Sequence, residues 1–361
     1  MKALQVTLSL FIICIGLNLN GQVLSNDFLN IGVGARALGM SGAVTATSSD
    51  VTSSYWNTAS LTRQTNPLSV GAMHAELFAG ISKYDFIGVS KTLNAEKNSV
   101  GGIALIRYGI DNIPNTLNLV NPDGSINYDN VYEFSAADYA FLISYAQKLK
   151  KDSPFSIGGN VKIINRNIGQ FATAWGFGLD ASLLYQKKNW TFGLTARDIS
   201  TTFNAWSFSF TDKEKATLEA TGNAIPENST EITKPTFHLG GAYSFKLNKD
   251  YNLTPEIDAI FNTDGQRNVL LSSKSINIDP KLGLELGFRN FLYVRAGVGH
   301  FQKITDDIDA TKKNTTFQPS FGIGLKLGRF HIDYAQTNVG NNGGLQYSNI
   351  FSLQLDFAGK N

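Results

Sequence analysis

The sequence predicts an all-β fold: a transmembrane antiparallel β-barrel of about fourteen strands, with an N-terminal segment that plugs it. Three observations predict this. From about residue 67 onward, apolar and polar residues alternate with a period of two. Between the alternating runs, tight turns take turns with long loops. Beyond the N-terminal segment, no apolar stretch has the length of a membrane helix, so any crossing must be made by strands.

Residues 1–21 read as a signal peptide. Lys2 gives the positive start, and Leu8–Leu17 is an apolar run of about ten residues, too short to span a bilayer. Asn18, Asn20 and Gly21 follow, which puts cleavage after Gly21. Cys14 is the only cysteine. It sits behind Ile12 and Ile13, where a lipidation site wants small residues. The mature chain is then expected to carry no disulfide, thiol nucleophile or thiolate metal site.

Residues 22–66 do not alternate. Ser49 or Asp50 suits the N-cap of a short helix. Gly32, Gly34, Gly39 and Gly42 let backbone approach backbone in a crowded space. We therefore expect this segment inside the lumen. Arg36 and Asp50 are its notable charges. They could pair and fix a hatch, or each could meet the barrel wall separately. Tyr55 and Trp56 read as packing residues, and a buried Trp56 needs a partner for its N–H.

Residues 67–361 are expected to form the barrel. Alternating runs begin near Pro67, Tyr84, Ser99, Asp138, Phe155, Trp175, Trp190, Phe237, Leu253, Ile276, Leu292, Pro319, Phe330 and Asn349. In one of them Trp190, Phe192, Leu194 and Ala196 oppose Thr191, Gly193, Thr195 and Arg197. Such apolar and polar faces suit lipid and lumen respectively. Every second connection is short: Asn94–Asn98, Lys150–Pro154, Lys187–Asn189, Leu247–Asp250, Arg289–Asn290 and Gly328–Arg329. The long ones include Ile110–Phe134, Ser200–Thr236, Thr263–Ser275, Gln302–Phe317 and Val339–Ser348. Outer-membrane barrels have this asymmetry, whereas a β-sandwich has no reason to keep it.

Composition agrees. Charged residues make up 17%, below the usual quarter or so, while Gly (34) and Phe (24) are abundant. A net charge of +2 gives no electrostatic support for nucleic-acid binding.

The run from Phe28 to Leu61 carries a more specific signal. Its Gly34-Ala35-Arg36, Gly39-Met40-Ser41-Gly42-Ala43, Asp50 and Tyr55-Trp56-Asn57 resemble the N-terminal signature of the PorV/PorQ family, related to the long-chain fatty-acid transporter barrels. The family usually follows the Trp with Asn-Pro-Ala-Gly, and here Asn57-Thr58-Ala59-Ser60 lacks the proline. The resemblance implies a non-enzymatic binding, shuttle or accessory subunit of type IX protein secretion and cell-surface attachment. It also implies partners: a secretion translocon, an attachment complex or secreted cargo, beside outer-membrane lipid. The alternative is an outer-membrane channel for hydrophobic small molecules.

Nothing in the sequence reads as catalytic, and no cofactor or metal is expected. His74, His238, His300 and His331 lie in strands without metal-protease spacing. His331 and Asp333 share a face and could make a lumen pair, although polar lumen positions are common. Gly158-Gly159 is not followed by the Lys-Ser/Thr of a phosphate loop. For partner binding the candidate is the loop bearing Phe203, Trp206, Phe208 and Phe210, either as an exposed contact surface or as a protruding hairpin arm.

Overall fold

A computed structural model of the chain describes residues 25–121, 123–305, 312–338 and 347–358. The expected signal peptide lies outside them.

The first six strands are β1 (Leu68–Leu77), β2 (Ser82–Asn94), β3 (Ser99–Asn115), β4 (Tyr132–Lys148), β5 (Phe155–Ile168) and β6 (Ala172–Lys187). Two strands are interrupted. β7 comprises Trp190–Arg197 and Thr202–Phe208, and β8 comprises Ser229–Thr233, Thr236–Tyr243 and Phe245–Lys246. Then come β9 (Tyr251–Asn262), β10 (Asn277–Phe288), β11 (Leu292–Thr305), β12 (Lys313–Leu327), β13 (Phe330–Thr337) and β14 (Ser348–Phe357). Each pairs antiparallel with the next, and β1 pairs with β14 from Leu68↔Phe357 to Glu76↔Asn349. The result is a closed barrel of fourteen strands, and closure is what satisfies the backbone of a membrane-spanning sheet.

The period-two pattern explains which way each side chain points. On β6 the residues Trp175, Phe177 and Tyr185 turn outward while Gly176, Gly178, Asp180 and Ser182 turn inward. Ile103, Ile143, Ile257, Phe321 and Phe351 are among the exposed apolar residues of the exterior. Near the short turns aromatic rings gather into a girdle, with Trp190–Tyr243 and Tyr243–Phe245 centroids 4.7 and 4.5 Å apart. An apolar band bounded by aromatics matches a bilayer and its interface. The protein resides in the bacterial outer membrane.

Connections follow the expected alternation. Two-residue turns join β6 to β7 and β12 to β13, with Lys188 at φ 56° and Gly328 at φ 62°. Such left-handed residues match the twist of paired strands. The connection between β7 and β8 holds a feature the sequence reading passed over, a helix at Asp212–Ala220. Thr211 and Glu214 form a capping box at its start, and that Thr-x-x-Glu spacing was the available signal.

One expectation needs correction: the lumen wall is not polar throughout. Leu77, Tyr84, Phe86, Ile106, Leu142, Ile164 and Ile350 point inward and pack with Phe28, Val33, Leu38, Met40 and Trp56. Polar lumen faces belong to water-filled barrels. Here residues 25–66 occupy the space, and their apolar side chains need apolar partners.

Candidate functional site

The site is the occupied lumen. Residues 25–66 are almost entirely buried and reach strands all round the wall. Their local structure is short turns: 3-10 helices at Asp27–Asn30 and Thr58–Arg63, and single α-turns at Ala35–Leu38 and Ser53–Trp56. None is long enough to be stable alone. The barrel wall must therefore help to hold it. Ser352 and Gln354 of β14 accept from Ala35 N and Val51 N, and four larger groups of contacts stand out.

The first is on β9. Asp258 accepts from Val44 N at 3.1 Å, Thr45 N at 3.0 Å and Thr45 Oγ1 at 2.7 Å. Two residues earlier on the same strand face, Glu256 accepts from Ala46 N at 2.6 Å and from Thr47 Oγ1. Residues 44–47 are thus latched to two buried carboxylates. A buried N–H left without an acceptor costs about 1–3 kcal/mol, so these two side chains hold the stretch in place.

The second is a relay of charge. Arg36 Nε meets Glu285 Oε2 at 2.9 Å, Glu285 meets Arg295 at 2.7 Å, and Arg295 meets Asp333 at 2.6 Å. The segment is pinned to β10, and through it to β11 and β13. The third holds the 3-10 helix Thr58–Arg63. Thr58 Oγ1 lies 2.9 Å from Asn160 Oδ1, Ala59 N donates to Ser182 at 2.8 Å, and Asn160 Nδ2 donates to Ser54 O at 2.6 Å. Gly158 permits this approach, because a Cβ there would lie 2.5 Å from Ala59 N.

The fourth involves the aromatic pair. Tyr55 and Trp56 meet edge to face with centroids 4.9 Å apart. Trp56 Nε1 donates to Val33 O at 2.8 Å, and the Tyr55 hydroxyl donates to Leu29 O. Arg197 of β7 stacks 4.1 Å from the Tyr55 ring and donates to Tyr55 O at 3.0 Å. Beside it, Lys162 is buried between Asp180 at 2.9 Å and Asp198. Asp198 belongs to the four residues, 198–201, that interrupt β7.

The structure brings most of the predicted segment residues together. Gly34 precedes the turn Ala35–Leu38. At Gly39 a Cβ would come within 2.9 Å of Gly322 Cα, and at Gly42 the same distance from the Trp56 ring. Asn57 donates to Thr45 O at 2.8 Å and to Leu183 O at 3.3 Å. Arg36 and Asp50 do not pair. Arg36 takes Glu285, while Asp50 accepts from Thr52 N at 2.8 Å and closes a local turn. His331 and Asp333 do not pair either, for their partners are Asp356 at 3.0 Å and Arg295.

The aromatic loop also differs from an exposed contact surface. Phe203 is 45% exposed on the outside, but Trp206 is 7% exposed and turns inward. Trp206 stacks on Phe208 at 5.9 Å, and Phe210 stacks on Phe171 at 5.8 Å. The Thr202–Phe208 strand is paired on both sides, by β6 and by the start of β8. Alternation along that strand sends Trp206 and Phe203 to opposite faces.

Sequence reasoning missed Glu256, Asp258, Glu285 and Arg295. Each is an inward charged residue of a strand that otherwise alternates normally, so only their position against the N-terminal segment marks them. Among the described residues, no group of three or more His, Cys, Asp or Glu side chains could hold a metal ion.

The fold is shared with solved outer-membrane channels. The toluene transporter TodX of Pseudomonas putida is 13% identical, with 91% of this chain and 99% of that chain covered and a TM-score of 0.51. The toluene transporter TbuX of Ralstonia pickettii is 12% identical, covering 90% and 98%, with a TM-score of 0.50. A FadL homologue of Pseudomonas aeruginosa gives 12%, 90%, 98% and 0.51. No protein-family model and no curated protein matches the chain. At these identities the likeness is one of fold. It runs against the expectation of a type IX secretion subunit, since the solved barrels of this shape include the toluene transporters TodX and TbuX.

Proposed function

We propose that this chain is an outer-membrane channel for hydrophobic small molecules, closed by residues 25–66. The observation that carries the reading is how the segment is held. Toward β5–β12 it is fixed by directional bonds: the Asp258 and Glu256 latch, the Arg36–Glu285 pair and the Asn160 contacts. Toward β1–β4 the contact is mainly apolar, with Leu77, Phe86, Ile106 and Leu142, and its hydrogen bonds are few, among them Gly34 N to Met73, and Gln64 with Ser90 near the short turns. Apolar contacts are non-directional, so an apolar solute can replace them at little cost. A solute could then pass along β1–β4 while the segment stays anchored to the far wall. The fold likeness to TodX and TbuX, both toluene transporters, supports this choice of solute class. The resemblance of Phe28–Leu61 to the PorV/PorQ family would then mark a subgroup of such barrels.

The test is uptake by intact cells of a Gram-negative host expressing the chain in its outer membrane. Radiolabelled toluene should enter several-fold faster than in empty-vector cells. Equal rates, with the barrel folded and present in the membrane, would sink the proposal.

A further inference from the structure

Beneath residues 44–47, on the side of the short turns, lies a cavity of about 340 Å³. That volume is in the range of small-ligand sites. Its lining differs from the apolar strip along β1–β4. Arg63, Gln64 and Asn66 contribute from the segment, and Thr191, Thr254 and Lys326 from strand ends. A hydrocarbon gains nothing from such a wall.

The charges in this cavity are unevenly engaged. Glu285 is paired with Arg36 and Arg295, and Asp333 with Arg295. Asp356 accepts from Ser69 at 2.7 Å and lies 3.0 Å from His331, while Asp50 accepts from Thr52. Arg63 stands apart. Its Nη1 donates to Ala46 O at 3.0 Å, and no carboxylate of the described residues pairs with it. A guanidinium has five N–H donors in a planar fork. Lys326, exposed at the rim, pairs with no described carboxylate either. The cavity therefore holds acids that are already engaged and, in Arg63 and Lys326, two cations that pair with no described carboxylate.

We propose that this cavity binds a small organic monoanion, a carboxylate gripped by the Arg63 guanidinium. The planar fork matches a carboxylate's two oxygens. Of the four carboxylates that line the same space, three take up Arg36, Arg295 and His331, so among the described residues Arg63 is the interior cation left to balance one ligand charge. A monoanion is favoured over a phosphate dianion for that reason.

The experiment is calorimetric titration of the detergent-purified full chain with sodium benzoate, with inorganic phosphate as a second arm. Benzoate should bind saturably and more tightly than phosphate. Arg63→Gln should weaken it about ten- to a hundredfold, as loss of a charge-assisted hydrogen bond does. Arg63→Lys should fall between, because it keeps the charge and loses the fork. Equal benzoate affinity in wild type and Arg63→Gln, or no saturable binding, overturns the site. Tighter phosphate binding overturns the monoanion assignment. If Arg63→Gln does not fold, Lys326→Gln at the exposed rim takes its place. It should weaken benzoate a few-fold, and unchanged affinity there overturns the assignment as well. The site stands apart from the channel reading. A barrel that carries no toluene can still bind benzoate, and a working channel can fail to bind it.

Discussion

The two sides of the lumen wall hold the same segment by different physics. None of the buried charged side chains among the described residues lies on β1–β4. On β5–β12 they are frequent: Lys162, Asp180, Arg197, Glu256, Asp258, Lys281 and Arg295. One wall offers area and the other offers addresses. Burying a Leu or Ile side chain stabilises by about 1.5–3 kcal/mol wherever it lands, within limits of shape. A carboxylate facing backbone N–H groups stabilises only one register of the chain against it. The polar wall therefore fixes where residues 25–66 sit, and the apolar wall supplies contact that a solute can share.

The sharpest way to break this comparison is to remove an address. Asp258→Ala leaves Val44 N, Thr45 N and the Thr45 hydroxyl without their acceptor. With an uncompensated buried donor costing about 1–3 kcal/mol, docking of residues 44–47 should weaken by roughly 3–5 kcal/mol. Hydrogen exchange should show fast amides at 44–47 with the barrel strands still protected. Unchanged exchange there would mean that the latch does not hold the segment.

Cutting area from the other wall should cost less and act less locally. Leu142 is 2% exposed and packs in the apolar cluster. Leu142→Ala should destabilise by about 2–4 kcal/mol. Leu142→Met, which keeps the volume, should cost less than about 1.5 kcal/mol. Denaturant unfolding of the barrel in detergent measures both. If Leu142→Met proves as damaging as Asp258→Ala, the distinction between area and address fails.

Much of this was legible in the sequence, for a physical reason. A two-residue period and turn residues are local, so the starts of strands at Ser99, Phe155, Trp190, Leu292 and Phe330 coincide with the alternating runs. Gly39 and Trp56 marked a crowded segment, and the structure puts both in close contact. What was not legible is the pairing between distant parts of the chain. Asp258 looks like any lumen carboxylate until Thr45 lies against it, 213 positions away in sequence. His331 and Asp333 share a face as expected, yet His331 finds its partner on the neighbouring β14 and Asp333 finds Arg295 on β11, two strands away. The inward apolar residues of β1–β4 were hidden by a general rule for water-filled lumens, which the occupied lumen breaks.

The smallest effect is expected at the border between the two walls. Arg197 belongs to the polar wall, but it reaches an aromatic ring rather than a carboxylate, lying 4.1 Å from Tyr55 and 5.7 Å from Trp56. It also donates to Tyr55 O at 3.0 Å. Part of its hold is thus directional and part is stacking over a face. Arg197→Lys keeps a charge near the ring and a donor for the carbonyl, but loses the flat guanidinium. The cost should be about 1 kcal/mol, the size of a modest cation–π contact. Hydrogen exchange at residues 55–57 should rise slightly while residues 44–47 stay protected. A large rise at 44–47 would mean that the aromatic pair, and not the β9 carboxylates, sets the position of the whole segment.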